Sequence, residues 1–231
     1  MGANAVTTVP VYTAGEVLTA ADLNITNSGI PVFATTTTRD AAFGGTGEKT
    51  LAEGQFAYIE ATDQTQYYSG SSWLALGGKL GQVVSTTKTD TFTAATSTFT
   101  DITGMSVTIT PTSATSKVLV VANLQGSNAF NIDSAALQLV RGSTLIAQGD
   151  AAGSRTQTTS SILGGTDGNL FSSNVVLFLD SPATTSATTY KLQGKSNQAA
   201  NTFTVNRAYT DSNGVVSNRT VSTITVLEIL A

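Results

Sequence analysis

A chain of 231 residues, 40% of them hydrophobic and only 11% charged, is long enough to bury one core of ordinary size and a smaller second one. The net charge of −4 argues against nucleic acid as a partner, because gripping a phosphate backbone requires clustered lysine and arginine. Cysteine and histidine are both absent, which excludes disulfides, thiolate nucleophiles and the usual catalytic base and metal ligand. We therefore expect no enzyme activity, no cofactor and no metal site.

Targeting signals are also missing from the sequence pattern. No apolar run approaches the length of about 18 residues that a membrane-spanning helix needs. The opening Met1–Asn4 lacks the basic and apolar regions of a signal peptide. The sequence predicts neither membrane insertion nor Sec export.

The first 44 residues mix short helical and extended signals. Thr19 is a good N-cap for a helix of about two turns through Leu23. A second short helix is predicted at Thr38–Ala42, and Pro31 separates the two. Helices this short are marginal in water on their own, so we expect them to be held by docking onto the subunit or onto a partner.

Residues 53–77 have the pattern of a small β-meander. Strands are predicted at Gln55–Ile59, Gln66–Tyr68 and Trp73–Leu76, with polar turns between them. Its predicted core consists of aromatic residues: Phe56, Tyr58, Tyr67, Tyr68 and Trp73. Gly77-Gly78 then resembles a linker, which predicts an N-terminal anchor and meander at 1–78 and a second domain at 79–231.

The second domain is a series of short strands broken by glycine, proline, asparagine and serine. Ten strands in about 150 residues, with no helix alternating among them, predict an antiparallel β-sandwich or jelly roll. The fold class is therefore all-β. The predicted strands are Val83–Ser85, Thr98–Thr100, Met105–Ile109, Lys117–Asn123, Leu137–Val140, Thr144–Gln148, Asn174–Leu179, Thr189–Gln193, Phe203–Val205 and Val221–Leu230.

Two of these strands are apolar at every position. Val118–Val121 and Val175–Leu179 predict a sheet whose two faces are both covered, although a sandwich core covers only one. Contact with another copy would cover the second face, and a long loop of the same subunit is the alternative. Val118, Val120, Val176 and Phe178 are candidate interface residues, and the pattern leaves open which parity faces the neighbouring copy.

Few residues point to chemistry. Gly44–Thr50 is similar to a phosphate-binding loop, but Glu48 separates the last glycine from the lysine and no strand precedes it, which favours a linker. Asp167-Gly168 and Asp211–Gly214 lack the spacing of a calcium loop and are typical of β-turns. Carboxylates assembled from distant positions leave glycoside cleavage open as a less favoured alternative. Arg155 and Tyr209 are candidates for surface recognition, with packing against neighbouring loops or subunits as the alternative.

Several segments resemble structural proteins of tailed bacteriophages. Val11–Asn24, Pro31–Ala34, Arg39–Ala42, Gly54–Tyr58 and Tyr67–Trp73 are similar to the openings of minor structural and tail-fibre proteins. Residues Gln82–Lys117, Gln138–Thr144, Leu179–Tyr190 and Ser222–Ile229 resemble C-terminal domains of phage virion proteins. Those domains are often compared in shape with the trimeric jelly rolls of the tumour-necrosis-factor and C1q type.

The resemblance implies a homotrimer exposed on the surface of a virion made in the host cytoplasm. It implies that the N-terminal segment, with Val11, Tyr12, Leu18 and Leu23 as candidate anchoring residues, docks on another virion protein. A tail-fibre-like appendage that contacts a host-surface glycan or protein is the first hypothesis. A capsid decoration or head-fibre protein is the close alternative, and a carbohydrate-binding module is a third.

Overall fold

The computed structural model describes residues 14–15, 17, 29–45, 49–128, 134–164, 167–198 and 201–230. The chain divides into two compact units, Met1–Gly78 and Lys79–Ala231. Within the described residues the fold is all-β, with fifteen strands and one five-residue α-helix. This confirms the fold class predicted from the sequence.

The described part of the first unit contains a four-stranded sheet and one short α-helix. Its elements are β1 (Val32–Phe33), α1 (Thr36–Asp40), β2 (Phe56–Ile59), a 3-10 turn at Glu60–Thr62, β3 (Gln64–Tyr68) and β4 (Trp73–Ala75). The sheet order is β1-β2-β3-β4, in which β1 runs parallel to β2 and the other pairs are antiparallel. The short strand β1 was not predicted.

The helix of this unit starts two residues earlier than the sequence predicts. The backbone N–H of Thr38 donates to the hydroxyl oxygen of Thr35 (3.2 Å), and the Thr35 N–H donates to the Thr38 hydroxyl oxygen (3.0 Å). Such a reciprocal capping box satisfies N–H groups that have no partner inside a helix, so α1 begins at Thr36. The predicted first helix near Thr19 lies outside the described residues.

The core of this unit is less aromatic than predicted. Its buried members are Phe33, Ala42, Ala57 and Ile59, with Phe43 and Trp73 packed against them. Phe56, predicted as a core residue, is 39% exposed because side chains alternate along β2 and those of Ala57 and Ile59 point inwards.

The second unit is a β-sandwich of two sheets. Its strands are β5 (Leu80–Lys88), β6 (Phe92–Ala94), β7 (Thr100–Ile109), β8 (Lys117–Asn128), β9 (Ser134–Arg141), β10 (Thr144–Ile146), β11 (Ser160–Leu163), β12 (Ser172–Asp180), β13 (Thr188–Ser196), β14 (Phe203–Val205) and β15 (Ser222–Ile229). All pairings among them are antiparallel.

Two long strands organise the two sheets. In the six-stranded sheet β8 is the centre: β12 pairs with one edge of β8, while β15 and then β14 pair along the other. The strand β5 extends the sheet beyond β15, and β6 extends it beyond β14. In the five-stranded sheet the order is β10-β9-β13-β7, and β11 also pairs with β9. Val120, Leu124 and Val226 of the first sheet and Val107, Leu139 and Leu192 of the second belong to one buried core.

Candidate functional site

The parity of the six-stranded sheet decides which apolar residues are available to a partner. On β8 the side chains of Val118 and Val120 are fully buried, and on β12 Val176 is 4% exposed. Phe178 is half-buried and packs against the same core. These four candidate interface residues therefore fill the interior of the subunit itself. This corrects their assignment, because a contact between copies across this sheet has to use the opposite parity.

The opposite parity forms a continuous apolar surface. In the pairing register Leu179 of β12 lies beside Leu119 of β8, Leu119 beside Leu227 of β15, and Leu227 beside Val83 of β5. Paired residues point to the same side of a sheet, so the row crosses four strands. Adjoining residues extend it, and we call the whole set the apolar band: Leu80, Val83, Leu119, Val121, Leu177, Leu179, Leu227 and Ile229.

Exposure in the band is unusual for large aliphatic side chains. Leu177 is 68% exposed, Val83 is 54% exposed and Leu179 is 48% exposed. Single exposed leucines are common on protein surfaces, whereas contiguous apolar patches mark sites of association. Lys117 is the only ionisable side chain on the outer face of β5, β8, β12 and β15 as far as these strands are described. The band is therefore a candidate surface for contact between copies.

The far end of the same outer face is polar. The amide of Gln125 donates to the side chains of Asn123 (3.1 Å) and Ser173 (2.9 Å). Ser85 and Thr225 share a hydrogen bond of 2.8 Å between their hydroxyl groups. The sheet face thus changes from apolar to hydrogen-bonded polar along the strands, which gives a partner a defined direction and register.

A buried carboxylate lies beneath the apolar end. Glu228 of β15 is fully buried, and its carboxylate accepts hydrogen bonds from the backbone N–H (2.6 Å) and hydroxyl (2.7 Å) of Thr112. Burial raises the pKa of Glu228, but the hydrogen bonds from Thr112, Ser116 and Gln82 together outweigh this effect, and the net pKa lies below its ordinary value. The interaction holds the turn before β8 against β15.

An ion pair ties the same end of the sandwich across its two sheets. Asp180 of β12 is 6% exposed and accepts hydrogen bonds from the Arg141 guanidinium (2.8 and 2.9 Å) and from the Tyr190 hydroxyl (2.6 Å). Arg141 and Tyr190 belong to the opposite sheet. Burial and the bond to Asp180 raise the pKa of the Tyr190 hydroxyl, so it remains a donor. The edge strand β12 is therefore fixed where it presents Leu179 and Leu177.

The two predicted recognition residues lie in different places. Arg155 is exposed in the connection between β10 and β11 and lines a groove of about 390 Å³. Tyr209 is half-buried between β14 and β15 and does not line that groove. Lys195 of β13 also lines the groove, and no local sequence pattern singled it out. Arg155 and Lys195 thus line the same groove, and Tyr209 lies elsewhere.

A second, larger groove lies in the first unit. It is open, with a volume of about 830 Å³, and Arg39 and Trp73 line it. The Arg39 guanidinium lies 4.7 Å from the centroid of the Trp73 ring and donates to Asp40 (2.6 and 2.9 Å) and to Gln66. Because these partners already use the charge and the aromatic face, the groove offers little to an incoming ligand.

The candidate anchoring residues Val11, Tyr12, Leu18 and Leu23 lie outside the described residues. In the part of the chain that the structure describes, no cluster of three or more acidic side chains is arranged to hold a metal ion. None of the helices described there has the length and hydropathy needed to cross a membrane.

No family model matches the sequence, and no curated protein matches it. The function of this chain therefore has to be inferred from its own residues.

Proposed function

We propose that this chain is a non-enzymatic structural subunit of a homotrimeric, fibre-like appendage on a bacteriophage virion, which contacts the host surface. The observation that carries the proposal is the apolar band, which one copy leaves exposed and further copies would cover. The resemblance of several segments to phage virion proteins supports three as the number of copies and a virion as the particle that carries them. In this proposal the N-terminal unit anchors the trimer on another virion protein.

Covering the apolar band would contribute favourable free energy to the assembly. Full burial of a leucine contributes about 1.5–3 kcal/mol, so covering the exposed 68% of Leu177 contributes about 1–2 kcal/mol per subunit. The other members of the band add to this in proportion to their exposure. Almost no charge has to be desolvated, since Lys117 is the sole ionisable group on this face among the described positions.

The size of the assembly in solution tests the proposal. Light scattering on a sizing column is expected to give three times the chain mass of 23.7 kDa for the wild-type protein. Leu177→Asp is expected to give a folded monomer, because it places a carboxylate where the copies meet. Leu163→Asp is the matched control, since Leu163 is also 68% exposed but lies on β11 of the other sheet. It is expected to remain trimeric.

Two results contradict this proposal. One is a well-folded wild-type monomer at micromolar concentration. The other is a Leu177→Asp variant that stays trimeric, which would move the interface away from the apolar band.

The place on the particle needs a separate experiment. Gold-labelled antibody against this chain is expected to mark the tail in electron micrographs of intact particles. Label confined to the head would favour a capsid decoration or head-fibre protein, and particles without label would remove the virion assignment.

A further inference from the structure

A groove on the second unit combines two cations with several neutral hydrogen-bonding groups. It lies where β9, β11 and β13 meet the connection between β10 and β11, and its volume is about 390 Å³. Volumes of about 300–1,000 Å³ are typical of small-ligand sites. Its lining includes Arg155, Thr156, Thr158, Ser161, Lys195 and Asn197. We call this the basic groove.

The two cations of the basic groove have unused binding capacity. Arg155 donates one hydrogen bond, to the carbonyl of Ala152 (3.3 Å), although a guanidinium carries five N–H donors. Within the described residues neither Arg155 nor Lys195 has a carboxylate within 4 Å, whereas Lys88, Arg141 and Lys191 do. The described part of the groove lining contains no acidic residue. A concave site of this composition concentrates anions, even on a chain whose net charge is −4.

The lysine of the basic groove is held in position. Its Nζ lies 5.3 Å from the centroid of the Phe99 ring and 3.4 Å from the hydroxyl oxygen of Thr156. A cation above an aromatic face is stabilised without losing its charge. Lys195 therefore holds its charge beside Thr156, the residue that follows Arg155. An anion in the groove would contact both Lys195 and Arg155.

The neutral residues restrict the class of ligand. Hydroxyl groups of Thr156, Thr158 and Ser161 and the amide of Asn197 both donate and accept hydrogen bonds, as the hydroxyl groups of a sugar or polyol chain require. Among the residues that the structure describes, no aromatic ring lines the groove, so this part of the lining gives a neutral sugar no surface for stacking.

We propose that the basic groove binds the oxyanion of an acidic, polyhydroxylated polymer, with Arg155 and Lys195 on the anion and the hydroxyl and amide groups on the adjoining units. Arginine suits this role because its planar fork matches both carboxylate and phosphate oxygens. The shared chemistry is an oxyanion on a hydroxyl-rich chain, either the carboxylate of a uronic acid or the phosphate diester of a teichoic-type polymer. The choice of a polymer rests on the proposed host-surface role, while the binding chemistry does not depend on the trimer.

Titration calorimetry on the full chain tests the proposal with three probes. These are oligogalacturonate for the carboxylate, poly(glycerol phosphate) for the phosphate diester, and dextran as the neutral polymer. We expect the wild-type protein to bind at least one of the two acidic probes and not dextran. We expect Arg155→Gln and Lys195→Gln each to weaken that binding about tenfold or more, since each removes a charged hydrogen bond.

Lys191→Gln is the matched control for these variants. It lies on the same strand, β13, and makes the same change of charge, but Lys191 is paired with Asp101 at 2.9 Å and does not line the groove. Its affinity is expected to stay within about twofold of wild type. Thermal unfolding of every variant checks that loss of binding is not loss of folding.

The outcomes separate this inference from the proposed function. If neither acidic probe binds, or if Lys191→Gln weakens binding as much as Lys195→Gln, the groove is not the site, whatever the mass of the assembly. Light scattering can also show that the protein is a monomer. If binding still depends on Arg155 and Lys195 in that case, the binding site is supported and the homotrimer of the proposed function is contradicted. The probe that binds identifies the source of the oxyanion.

Discussion

Replacing Asp180 by asparagine removes a buried charge while keeping the shape of the side chain. The asparagine can no longer balance the charge of Arg141, and its NH2 group places a donor where one of the two acceptor oxygens faced Arg141 or Tyr190. Breaking a buried ion pair costs about 3–5 kcal/mol. Because the Arg141 side chain is 26% exposed, water can solvate part of its charge, and we expect the lower end, about 3 kcal/mol.

Thermal and urea unfolding of Asp180→Asn measure this loss. In a protein of this length about 1 kcal/mol shifts the Tm by about 2–4 °C, so the variant is expected to melt about 6–12 °C below wild type. The control is Asp101→Asn, whose carboxylate also pairs with a cation but is 56% exposed and is expected to cost at most about 1 kcal/mol. Equal losses in the two variants would refute the argument that the bridge between the sheets fixes β12.

Two further predictions concern the interior of the sandwich. A carboxylate whose pKa is lower in the folded chain stabilises the fold above its unfolded pKa, here near 4.5, and that contribution is lost as the pH falls through the folded value. Glu228→Gln is therefore expected to be less stable than wild type at pH 7, and urea titrations should show the difference shrinking below pH 4.5; a constant difference would contradict the role of Thr112. A Cβ at Gly194 would lie 2.7 Å from the Phe203 ring, so Gly194→Ala is expected to lose about 1–3 kcal/mol in the same titrations. Gly149→Ala, whose added Cβ meets nothing closer than 3.8 Å, should be nearly neutral, and a Gly194→Ala variant that is equally close to wild type would show that the core accommodates the methyl group.

The strands that could be predicted are those whose side chains alternate or whose ends carry turn residues. Phe203–Val205 was predicted with its observed bounds, and Val221–Leu230 exceeded β15 by one residue at each end. The strands β6 and β11 were missed because Phe92–Ala94 and Ser160–Leu163 are too short, and the latter too polar, to show a period of their own. They become strands through pairing with β14 and β9, which is information from distant residues.

Of the two cations of the basic groove, only Arg155 could be predicted from the sequence, because the position of Lys195 depends on strand pairing. Arg155 stands out because it lies in a connection between strands, where recognition residues are common. Lys195 lies within a strand, and only the pairing of β13 with β9 brings it to the groove. A single sequence contains no signal for that proximity.

The parity of the apolar strands was readable in part from β15. Along this strand Thr223 and Thr225 point outwards while Ile224 and Val226 are buried, which is the ordinary alternation of a half-exposed sheet. Because β15 pairs with β8, with Val226 beside Val120, the buried parity of β8 follows from that alternation.

At the end of β15 the side chains still alternate between the two faces, but the apolar residues point outwards and the charged residue points inwards. Leu227 and Ile229 take the outward positions, while the inward position between them holds the carboxylate of Glu228. A sheet face that met only water would favour the opposite arrangement, since a surface glutamate needs no special partner and a surface leucine gains nothing. Here Glu228 requires two hydrogen bonds from Thr112, and the leucine adjoins Leu119 and Val83 in the apolar band. This arrangement lies at the end of the sheet where the copies are proposed to meet. Contact between copies would bury Leu227 and Ile229 and so stabilise an arrangement that exposure to solvent does not.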